Sequence, residues 1–310
     1  MLPPMTGQLD VSIVLCTRDR VHLLRDALES LLAIEHPPER FELVLVDNGS
    51  RDATAEVVRN FTRRAPFAVR YCYEATPGLS AARNRGIAEA HGEYLFFTDD
   101  DQLVDPRALA EHLRVARRYG SRVQQGGISL RFTEGRPDWL SPRLATVLGQ
   151  TRDAPEGPED IDLFGGNMFF LRSVFDGFEP FRVDLGKGTA GYSEDIEITR
   201  RLRTAGERIV YAPSAQVVHV IGPDRSSVGF FRKNSWEKGY SDAIMVASGR
   251  PLPLSLGVDG VLAIANAWLV ILHALRRSPA DRVVCETRVA NRLGRMAGAV
   301  RARTARTRRS

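Results

Sequence analysis

Short apolar segments alternate with segments of helical spacing over the N-terminal third of the chain. The strand-like segments are residues 11–16, 41–46, 67–73 and 94–97, and the helical ones are residues 23–32, 53–63 and 79–90. Such alternation is typical of βαβ units, whose strands run parallel in one sheet. The sequence therefore predicts an α/β fold with a Rossmann-like, mostly parallel sheet.

Polar residues follow three of these predicted strands, at the point where each strand ends. They are Thr17-Arg18-Asp19, Asp47-Asn48 and Asp99-Asp100-Asp101. The carboxyl ends of parallel strands lie at one edge of a sheet, and ligands bind beyond that edge. The sequence therefore predicts a nucleotide-binding crevice lined by these residues.

The run Asp99-Asp100-Asp101 is a candidate metal site. Three adjacent carboxylates repel one another unless a cation or hydrogen-bond donors neutralise them. Mg²⁺ and Mn²⁺ take oxygen ligands from one or two carboxylates and from substrate phosphates. Because the first and third residues of a turn can point the same way, Asp101 is the predicted ligand, and Asp99 shares the ion or lies near a ribose. The alternative is a solvated turn or an N-cap before Pro106, which the position after a strand disfavours.

Two later segments have both a structural and a catalytic interpretation. Ser193-Glu194-Asp195 precedes a predicted helix, so Ser193 is a candidate N-cap with acidic residues in the first turn. Alternatively, one of the carboxylates is a general base for an acceptor hydroxyl. His219 lies in an apolar strand-like run, where a core histidine is more common than a metal ligand. It becomes a candidate ligand where other segments supply carboxylates and phosphates.

Residues 77–86 open the third predicted helix with small side chains and two arginines. Small residues allow a close backbone approach, and the N-terminus of a helix favours anions. Arg83 and Arg85 are therefore candidates for contact with a diphosphate. A simply capped helix is the alternative.

The pattern after Pro106 is mixed. Helices are predicted over residues 109–119 and 196–205, a loop over 153–160, and strands over 123–132, 167–171, 209–211 and 216–221. The strand at 123–132 is either one strand or two strands broken at Gly126-Gly127. Beyond Phe230 the sequence predicts helices alone, which suggests a separate C-terminal extension.

The C-terminal part combines an apolar helix with a basic tail. Residues 261–275 are almost continuously apolar but too short and interrupted for a membrane span, so we expect a buried or interfacial helix. Residues 276–310 contain 11 arginines against Asp281 and Glu286, a net charge of +9, while the whole chain carries +5. Such a tail attracts anionic lipid, nucleic acid or an acidic partner, or it is a solvated chain end.

Seven segments in order resemble the family 2 inverting glycosyltransferases of GT-A fold. They are VSIVLCTRDR, LVLVDNGSRDAT, ATPGLSAARNRGI, YLFFTDDD, GGNMFFLRSVF, YSEDIEITRRLRTAG and IVYAPSAQVVHV. The similarity covers residues 11–236. It implies a GT-A fold domain over residues 8–230 and a helical C-terminal extension with an Arg-rich tail over residues 231–310.

The resemblance assigns roles to individual residues. The donor-binding set that it implies comprises Thr17, Arg18, Asp47, Arg83, Asn84, Asp99, Asp100, Gly166 and Asn167. Thr17 and Arg18 line the base pocket in this interpretation, and Asp47 hydrogen-bonds the nucleobase. A divalent metal, Mn²⁺ or Mg²⁺, is held by Asp99, Asp101 and His219. Asp195 is the catalytic base, with Glu194 beside it.

The activity that the resemblance implies is metal-dependent, inverting transfer of a sugar from a nucleotide-diphosphate donor to an acceptor hydroxyl. We expect a UDP- or dTDP-type donor and a carbohydrate or lipid-linked acceptor, in polysaccharide, glycolipid or other glycoconjugate biosynthesis. The segment Arg232–Trp236 is not the QxxRW-type motif of processive family members, so we expect the addition of one sugar.

The expected location is the cytoplasm, with peripheral contact at the inner face of a membrane through residues 254–310. Cys16, Cys72 and Cys285 are too sparse for a disulfide framework, which favours a reducing compartment. Residues 1–10 lack a basic region followed by an apolar run, so no signal peptide is expected.

Three other functions are compatible with parts of the pattern. A nucleotidyltransferase also uses a parallel sheet with metal-binding aspartates, but residues 16–20 lack the glycine-rich loop expected after its first strand. A non-catalytic nucleotide-sugar-binding protein would be expected to lose Asp99 and Asp101 or the Glu194-Asp195 pair. Binding of specific nucleic acid is not expected, because the tail lacks interleaved aromatic residues.

Overall fold

The computed structural model of the chain describes residues 9–189, 191–247, 255–275 and 279–307. Residues 1–8 lie outside these ranges. They include residue 8, where the first predicted domain begins, and most of the segment 1–10, in which no signal peptide is expected. Part of the basic tail, residues 276–278 and 308–310, also lies outside them.

In the described ranges, nine strands form one mixed sheet in the order β3-β2-β1-β4-β8-β6-β9-β5, with β7 paired to β9. They are β1 (Val11–Thr17), β2 (Phe41–Asp47), β3 (Ala68–Tyr73), β4 (Tyr94–Asp99), β5 (Gln102–Val104), β6 (Val123–Phe132), β7 (Gly157–Pro158), β8 (Met168–Leu171) and β9 (Ile209–Ile221). β1 pairs in parallel with β2 and β4, and β2 with β3. β8 runs antiparallel to β4 and β6. The parallel half contains the predicted βαβ units and confirms the α/β class.

Helices lie between the strands and follow the last one. They are α1 (Val21–Leu31), α2 (Thr54–Thr62), α3 (Leu79–Glu89), α4 (Ala108–Tyr119), α5 (Pro142–Ala145), α6 (Glu194–Thr204), α7 (Val228–Ala247), α8 (Ser255–Leu275) and α9 (Pro279–Thr307). The helices predicted over 23–32, 53–63, 79–90, 109–119 and 196–205 begin and end within about two residues of these bounds, as is usual for helix ends. The apolar helix predicted over 261–275 begins six residues later than α8 does. None of the helices in the described ranges is long and apolar enough to cross a membrane.

β1 lies at the centre of the parallel half and is buried along its whole length. Val11, Ile13 and Leu15 belong to one buried cluster, whereas Val14 and Cys16 belong to another. Successive side chains of a strand point to opposite faces, so the two clusters lie on the two faces of the sheet. A strand that is apolar on both faces is typical of a parallel sheet with helices on both sides.

β9 is one strand of 13 residues, where the sequence predicts two shorter strands. Its first part pairs with β7, which lies within the predicted loop 153–160, and its last part pairs with β5. These partners hold the segment around Pro213 in an extended conformation. β6 likewise continues through Gly126-Gly127, so the interpretation as one strand is correct.

The chain divides into two compact units that are discontinuous in sequence. The first comprises Met1–Arg131, Gly149–Val183 and Glu194–Val220, and the second comprises Phe132–Leu148, Asp184–Ser193 and Ile221–Ser310. The domains predicted over 8–230 and 231–310 are continuous instead. The C-terminal helices α7, α8 and α9 belong to the second unit, and two inner segments of the chain join them there.

Gly86 provides a test of how tightly α3 packs on β1. A Cβ atom at Gly86 would lie 2.3 Å from Cγ1 of Val14, whereas one at Gly229 in α7 would have no neighbour within 3.7 Å. We expect Gly86→Ala to lower the free energy of unfolding by about 1–3 kcal/mol through overpacking. Gly229→Ala is the matched control, and better helix propensity should leave stability unchanged or raise it by up to about 1 kcal/mol. Urea denaturation measures both, and equal stability of the two variants would contradict the packing argument.

Candidate active site

The parallel register brings the predicted polar residues to one edge of the sheet. Thr17 is the register partner of Asp47 on β2, and Cys16 is the register partner of Asp99 on β4. The carboxyl ends of β1, β2 and β4 therefore lie side by side. This edge carries the crevice residues that the sequence predicts.

Two of the three adjacent carboxylates are neutralised by Arg20. Its Nη1 donates to Oδ1 of Asp100 at 2.5 Å, and its Nη2 donates to Oδ2 of Asp101 at 2.7 Å. Oγ1 of Thr17 donates to the other oxygen of Asp100 at 2.8 Å. The side chains of Asp100 and Asp101 are both buried. Arg20 thus links Asp100 and Asp101, whereas the sequence pairs Asp99 with Asp101 as candidate metal ligands. Asp99 forms an ion pair with Arg83.

Burial determines the charge balance of this cluster. It raises the pKa of Asp100 above that of an ordinary aspartate, although Arg20 partly offsets the effect. Burial also lowers the pKa of Arg20, but the carboxylates of Asp100 and Asp101 outweigh that effect, so its pKa lies above its ordinary value. Arg20 therefore stays cationic and is the counter-ion of the two carboxylates.

His219 reaches the acidic run through strand pairing. It lies opposite Gln102 in the antiparallel pair of β5 and β9, and the amide of Val220 donates to the carbonyl of Asp101 at 2.9 Å. Nε2 of His219 then lies 3.4 Å from Oδ2 of Asp101, and both side chains are buried. The structure therefore brings together these two members of the predicted metal set.

The Asp101–His219 pair fits two neighbouring positions of a small divalent cation. Ligands at about 2.1 Å from an ion in octahedral geometry are about 3 Å apart, close to the 3.4 Å between these atoms. Oxygen and imidazole donors both suit Mn²⁺-type ions. Among the described residues, no group of three or more His, Cys, Asp or Glu side chains is arranged to hold a metal. A cation here would take its remaining ligands from a bound substrate or from water.

Arg83 connects the acidic run to helix α6. Its guanidinium is buried, with Nη1 2.8 Å from Oε1 of Glu194 and Nη2 3.5 Å from Oδ1 of Asp99. The same group lies over the ring of Phe181, 5.4 Å from the ring centroid. The structure thus brings Asp99, Arg83 and Glu194 together, and Arg83 forms an ion pair with each of the two carboxylates.

Asp195 is the more accessible member of the acidic pair on α6. Its Oδ1 accepts from the amide of Ile196 at 2.8 Å, and its Oδ2 accepts from the amide of Gly165 at 3.4 Å. It is half-buried, whereas Glu194 is buried. A half-buried carboxylate that accepts hydrogen bonds from backbone amides can also accept a proton from a bound hydroxyl.

Ser193 does not have the geometry of the N-cap that its sequence position suggests. Its φ is +75°, whereas an N-cap residue has an extended backbone. Its hydroxyl donates to Oδ1 of Asp242 at 2.8 Å. The hydroxyl of Ser193 therefore binds Asp242 and does not cap α6, and its backbone just before the helix is strained.

The predicted base pocket contains two buried residues, Thr17 and Asp47, and one exposed residue, Arg18. Asp47 is buried, and its two oxygens accept from the amide of Ser50 at 2.8 Å and from the hydroxyl of Tyr71 at 2.7 Å. Burial and the neighbouring Asp47 raise the pKa of Tyr71. Arg18 is 47% exposed, with its Nε 3.9 Å from Oδ2 of Asp19. A nucleobase at this edge would meet the Asp47–Tyr71 pair and the exposed side chain of Arg18.

Two predicted donor-binding asparagines have their amides engaged within the protein. Asn84 exchanges two hydrogen bonds with the backbone of Phe181, at 2.8 and 2.9 Å. Asn167 is fully buried, and it donates to the carbonyls of Gly127 and Ala215 while Oδ1 lies 2.9 Å from Nε2 of His112. In this structure Asn167 holds strands together and does not line the crevice.

Gly166, the remaining donor-binding candidate, makes room for Gln102. A Cβ atom at Gly166 would lie 1.9 Å from Nε2 of Gln102. Oε1 of Gln102 accepts from Oγ1 of Thr98 at 3.1 Å and from the amide of Asp99 at 3.3 Å. The glycine therefore allows Gln102 to brace the end of β4.

Sequence reasoning did not select Arg20, Gln102 or Phe181. Arg20 had a usable signal, because it is a cation three residues beyond β1 and the neighbouring strand ends in three carboxylates. Gln102 directly follows those carboxylates in the sequence. Phe181 lies outside every quoted segment, and only the tertiary structure places it over Arg83.

Several known proteins with similar sequences are named as sugar transferases or as proteins of polysaccharide biosynthesis. The model of the family described as Glycosyl transferase family 2 matches residues 12–178. The succinoglycan biosynthesis protein ExoM of Rhizobium meliloti is 24% identical over 258 residues, which are 79% of this chain and 77% of that protein. The glucosyl-dolichyl phosphate glucuronosyltransferase of Haloferax volcanii is 25% identical over 247 residues, which are 76% of this chain and 77% of that protein.

A solved structure shows the same fold. Mannosyltransferase PcManGT from Pyrobaculum calidifontis, in complex with GDP-Man and Mn²⁺, matches with a TM-score of 0.59 at 18% identity. The match covers 100% of this chain and 78% of that one. It confirms the GT-A fold that the sequence resemblance implies.

Arg20 can be tested as the counter-ion of the acidic run. We expect Arg20→Met to lower the free energy of unfolding by about 3 kcal/mol, because removing one partner of a buried ion pair leaves uncompensated charge. Arg18→Met is the matched control, because Arg18 is exposed and its ion pair with Asp19 is long, at 3.9 Å. Mn²⁺ should raise the melting temperature of Arg20→Met more than that of the wild type. Equal stability of the two arginine variants would show that the pair with Arg20 is dispensable.

Proposed function

The chain belongs to glycosyl transferase family 2, and we propose that it transfers one sugar per encounter from a nucleotide-diphosphate donor to an acceptor hydroxyl, with inversion and with the help of a divalent metal. It is a glycosyltransferase, so the alternatives of a nucleotidyltransferase and a non-catalytic binding protein are set aside. The observation that carries the proposal is the placement of the Asp101–His219 pair and Asp99 at one sheet edge. Arg83 then joins Asp99 to the Glu194-Asp195 segment.

The donor side of the proposed site is the edge formed by β1, β2 and β4. Asp101 and His219 would hold Mn²⁺ or Mg²⁺, with Asp99 nearby, and donor phosphates would complete the coordination. Such an ion stabilises the negative charge that develops on a leaving nucleoside diphosphate. Thr17, Arg18 and Asp47 would receive the base, for which we propose uracil or thymine.

The acceptor side of the proposed site is the start of α6. The carboxylate of Asp195 takes the proton from the acceptor hydroxyl, and the hydroxyl oxygen forms a bond to the anomeric carbon. The bond from that carbon to the diphosphate oxygen breaks on the opposite face. One displacement without a covalent intermediate inverts the configuration. Glu194 positions this segment through its ion pair with Arg83.

For the biological role, we propose biosynthesis of a polysaccharide, a glycolipid or another glycoconjugate. The similar proteins are named for succinoglycan biosynthesis and for transfer to glucosyl-dolichyl phosphate. A carbohydrate or lipid-linked acceptor agrees with both names, and we propose that the chain reaches it from the cytoplasm at the inner face of a membrane. The absence of a QxxRW-type motif from the sequence supports transfer of a single sugar.

Nucleotide binding is the most direct test of the donor proposal. We expect one of UDP, dTDP, GDP, CDP and ADP to raise the melting temperature in the presence of Mn²⁺ or Mg²⁺ but not of EDTA, because ligands that bind the native state stabilise it. Asp101→Ala should abolish the metal-dependent part of this shift, whereas the exposed Asp26→Ala on α1 should not. A shift that is the same with metal and with EDTA would contradict the metal proposal.

The base proposal predicts a separation of binding from chemistry. We expect Asp195→Asn to lower the rate of transfer by at least about 10²-fold, the lower end of a general-base contribution, while nucleotide affinity stays unchanged. Asp26→Asn is the control for a neutralised aspartate away from the site. The measurements are sugar transfer with purified donor and acceptor and nucleotide affinity by calorimetry. Transfer by Asp195→Asn at the wild-type rate would eliminate Asp195 as the base.

A further inference from the structure

Helix α8 exposes its apolar side chains and buries a polar one. Val261 is 67% exposed, Ile264 is 63% exposed and Trp268 is 64% exposed. Among residues 261–270 and 272, whose side chains the structure describes, the buried ones are Ala263 and Asn266, and the amide of Asn266 donates to the carbonyl of Leu262 within the helix. A helix on the surface of a protein in water has the opposite arrangement.

The exposed side chains of α8 form one continuous surface, which we call the α8 face. It comprises Val261, Leu262, Ile264, Trp268, Leu269 and Leu272. Their spacing of three, four and seven residues places them on one side of the helix. Residues 261–272 contain no charged side chain, so nothing within this segment offsets the apolar character. A contiguous patch of this kind marks an interaction surface.

The chain that follows α8 is strongly basic. α9 packs against α8, and Arg288, Arg292 and Arg295 recur along it at intervals of four and three residues. Residues 276–310 contain eleven arginines and two acidic residues, which gives a net charge of +9. An apolar helix face beside dense positive charge complements the headgroup and acyl-chain boundary of an anionic bilayer. A second copy of this chain would bring two basic segments together across a two-fold contact, which their repulsion opposes.

We infer that the α8 face is a docking surface for an anionic phospholipid membrane. α8 lies along the membrane, with Ile264 and Trp268 among the acyl chains near the headgroups. Tryptophan is well suited to this depth because its ring is apolar and its N–H is polar. The positive charge of the arginines of α9 attracts lipid phosphates. The inference deepens the proposed function by naming the membrane partner, but vesicle binding needs neither donor nor acceptor.

The test is co-sedimentation of the full chain with vesicles. One set of vesicles contains phosphatidylglycerol mixed with phosphatidylcholine, and the other contains phosphatidylcholine alone. We expect the wild type to bind the anionic vesicles, with affinity that falls as salt rises, and to bind the neutral vesicles weakly. The double variant Ile264→Gln/Trp268→Gln should bind the anionic vesicles at least about tenfold more weakly, because two large apolar side chains leave the surface.

Val183→Gln is the matched control, because Val183 is 55% exposed and lies outside the α8 face. It should bind vesicles as the wild type does, and all variants should keep the wild-type melting temperature and nucleotide-induced shift. The inference is overturned if the wild type does not bind anionic vesicles or if the double variant binds them equally well. A wild-type dimer that the double variant dissociates, seen by light scattering, would also overturn it and make the α8 face a contact between copies.

Discussion

The ion pairs between Arg20 and the two buried aspartates are the interaction on which the site depends. Parallel strands direct their polar ends to one edge, and this edge therefore concentrates negative charge at the end of β4. Burial raises the pKa of Asp100, and a protonated carboxyl is a poor metal ligand. Arg20 and the hydroxyl of Thr17 lower the pKa of Asp100 and so partly offset the effect of burial. Arg20 is also the ion-pair partner of Asp101, so one cation serves both aspartates at this edge.

A second buried cation connects the two halves of the proposed reaction. Arg83 contacts both Asp99, on the donor side, and Glu194, which precedes the proposed base. Its position over Phe181, whose backbone Asn84 holds, limits the movement of the guanidinium. A change in charge at Asp99 on donor binding would therefore alter the attraction that positions the start of α6. Such a link could make the acceptor side sensitive to the presence of a donor.

Periodicity in the sequence is sufficient for the parallel strands, their helices and the common edge of Thr17, Asp47 and Asp99. It is insufficient for side-chain direction beyond a strand end, because Asp100 and Asp101 lie in a turn where strand alternation no longer applies. Motif resemblance predicts Asn167 near the donor. Its burial beside His112 results from contacts between segments that are distant in the sequence, which a motif does not reveal. The sequence likewise did not decide whether the apolar side chains of α8 are buried or exposed, because hydropathy describes a side chain and not its neighbours. The GT-A fold and the transferase class are confirmed, whereas the roles of individual site residues stay predictions.

The long strand β9 has a consequence for the order in which the chain acquires its site. His219 meets Asp101 only because β9 pairs with β5, although the two residues are more than a hundred positions apart in the sequence. Contacts of such long range form late and slowly, since their loop-closure entropy must be overcome first. A ribosome would have synthesised the entire acidic run, and most of the sheet, well before the histidine emerged. During that interval Arg20 would pair with Asp101 before His219 is available, so the arginine would supply positive charge at this edge while the sheet is still incomplete.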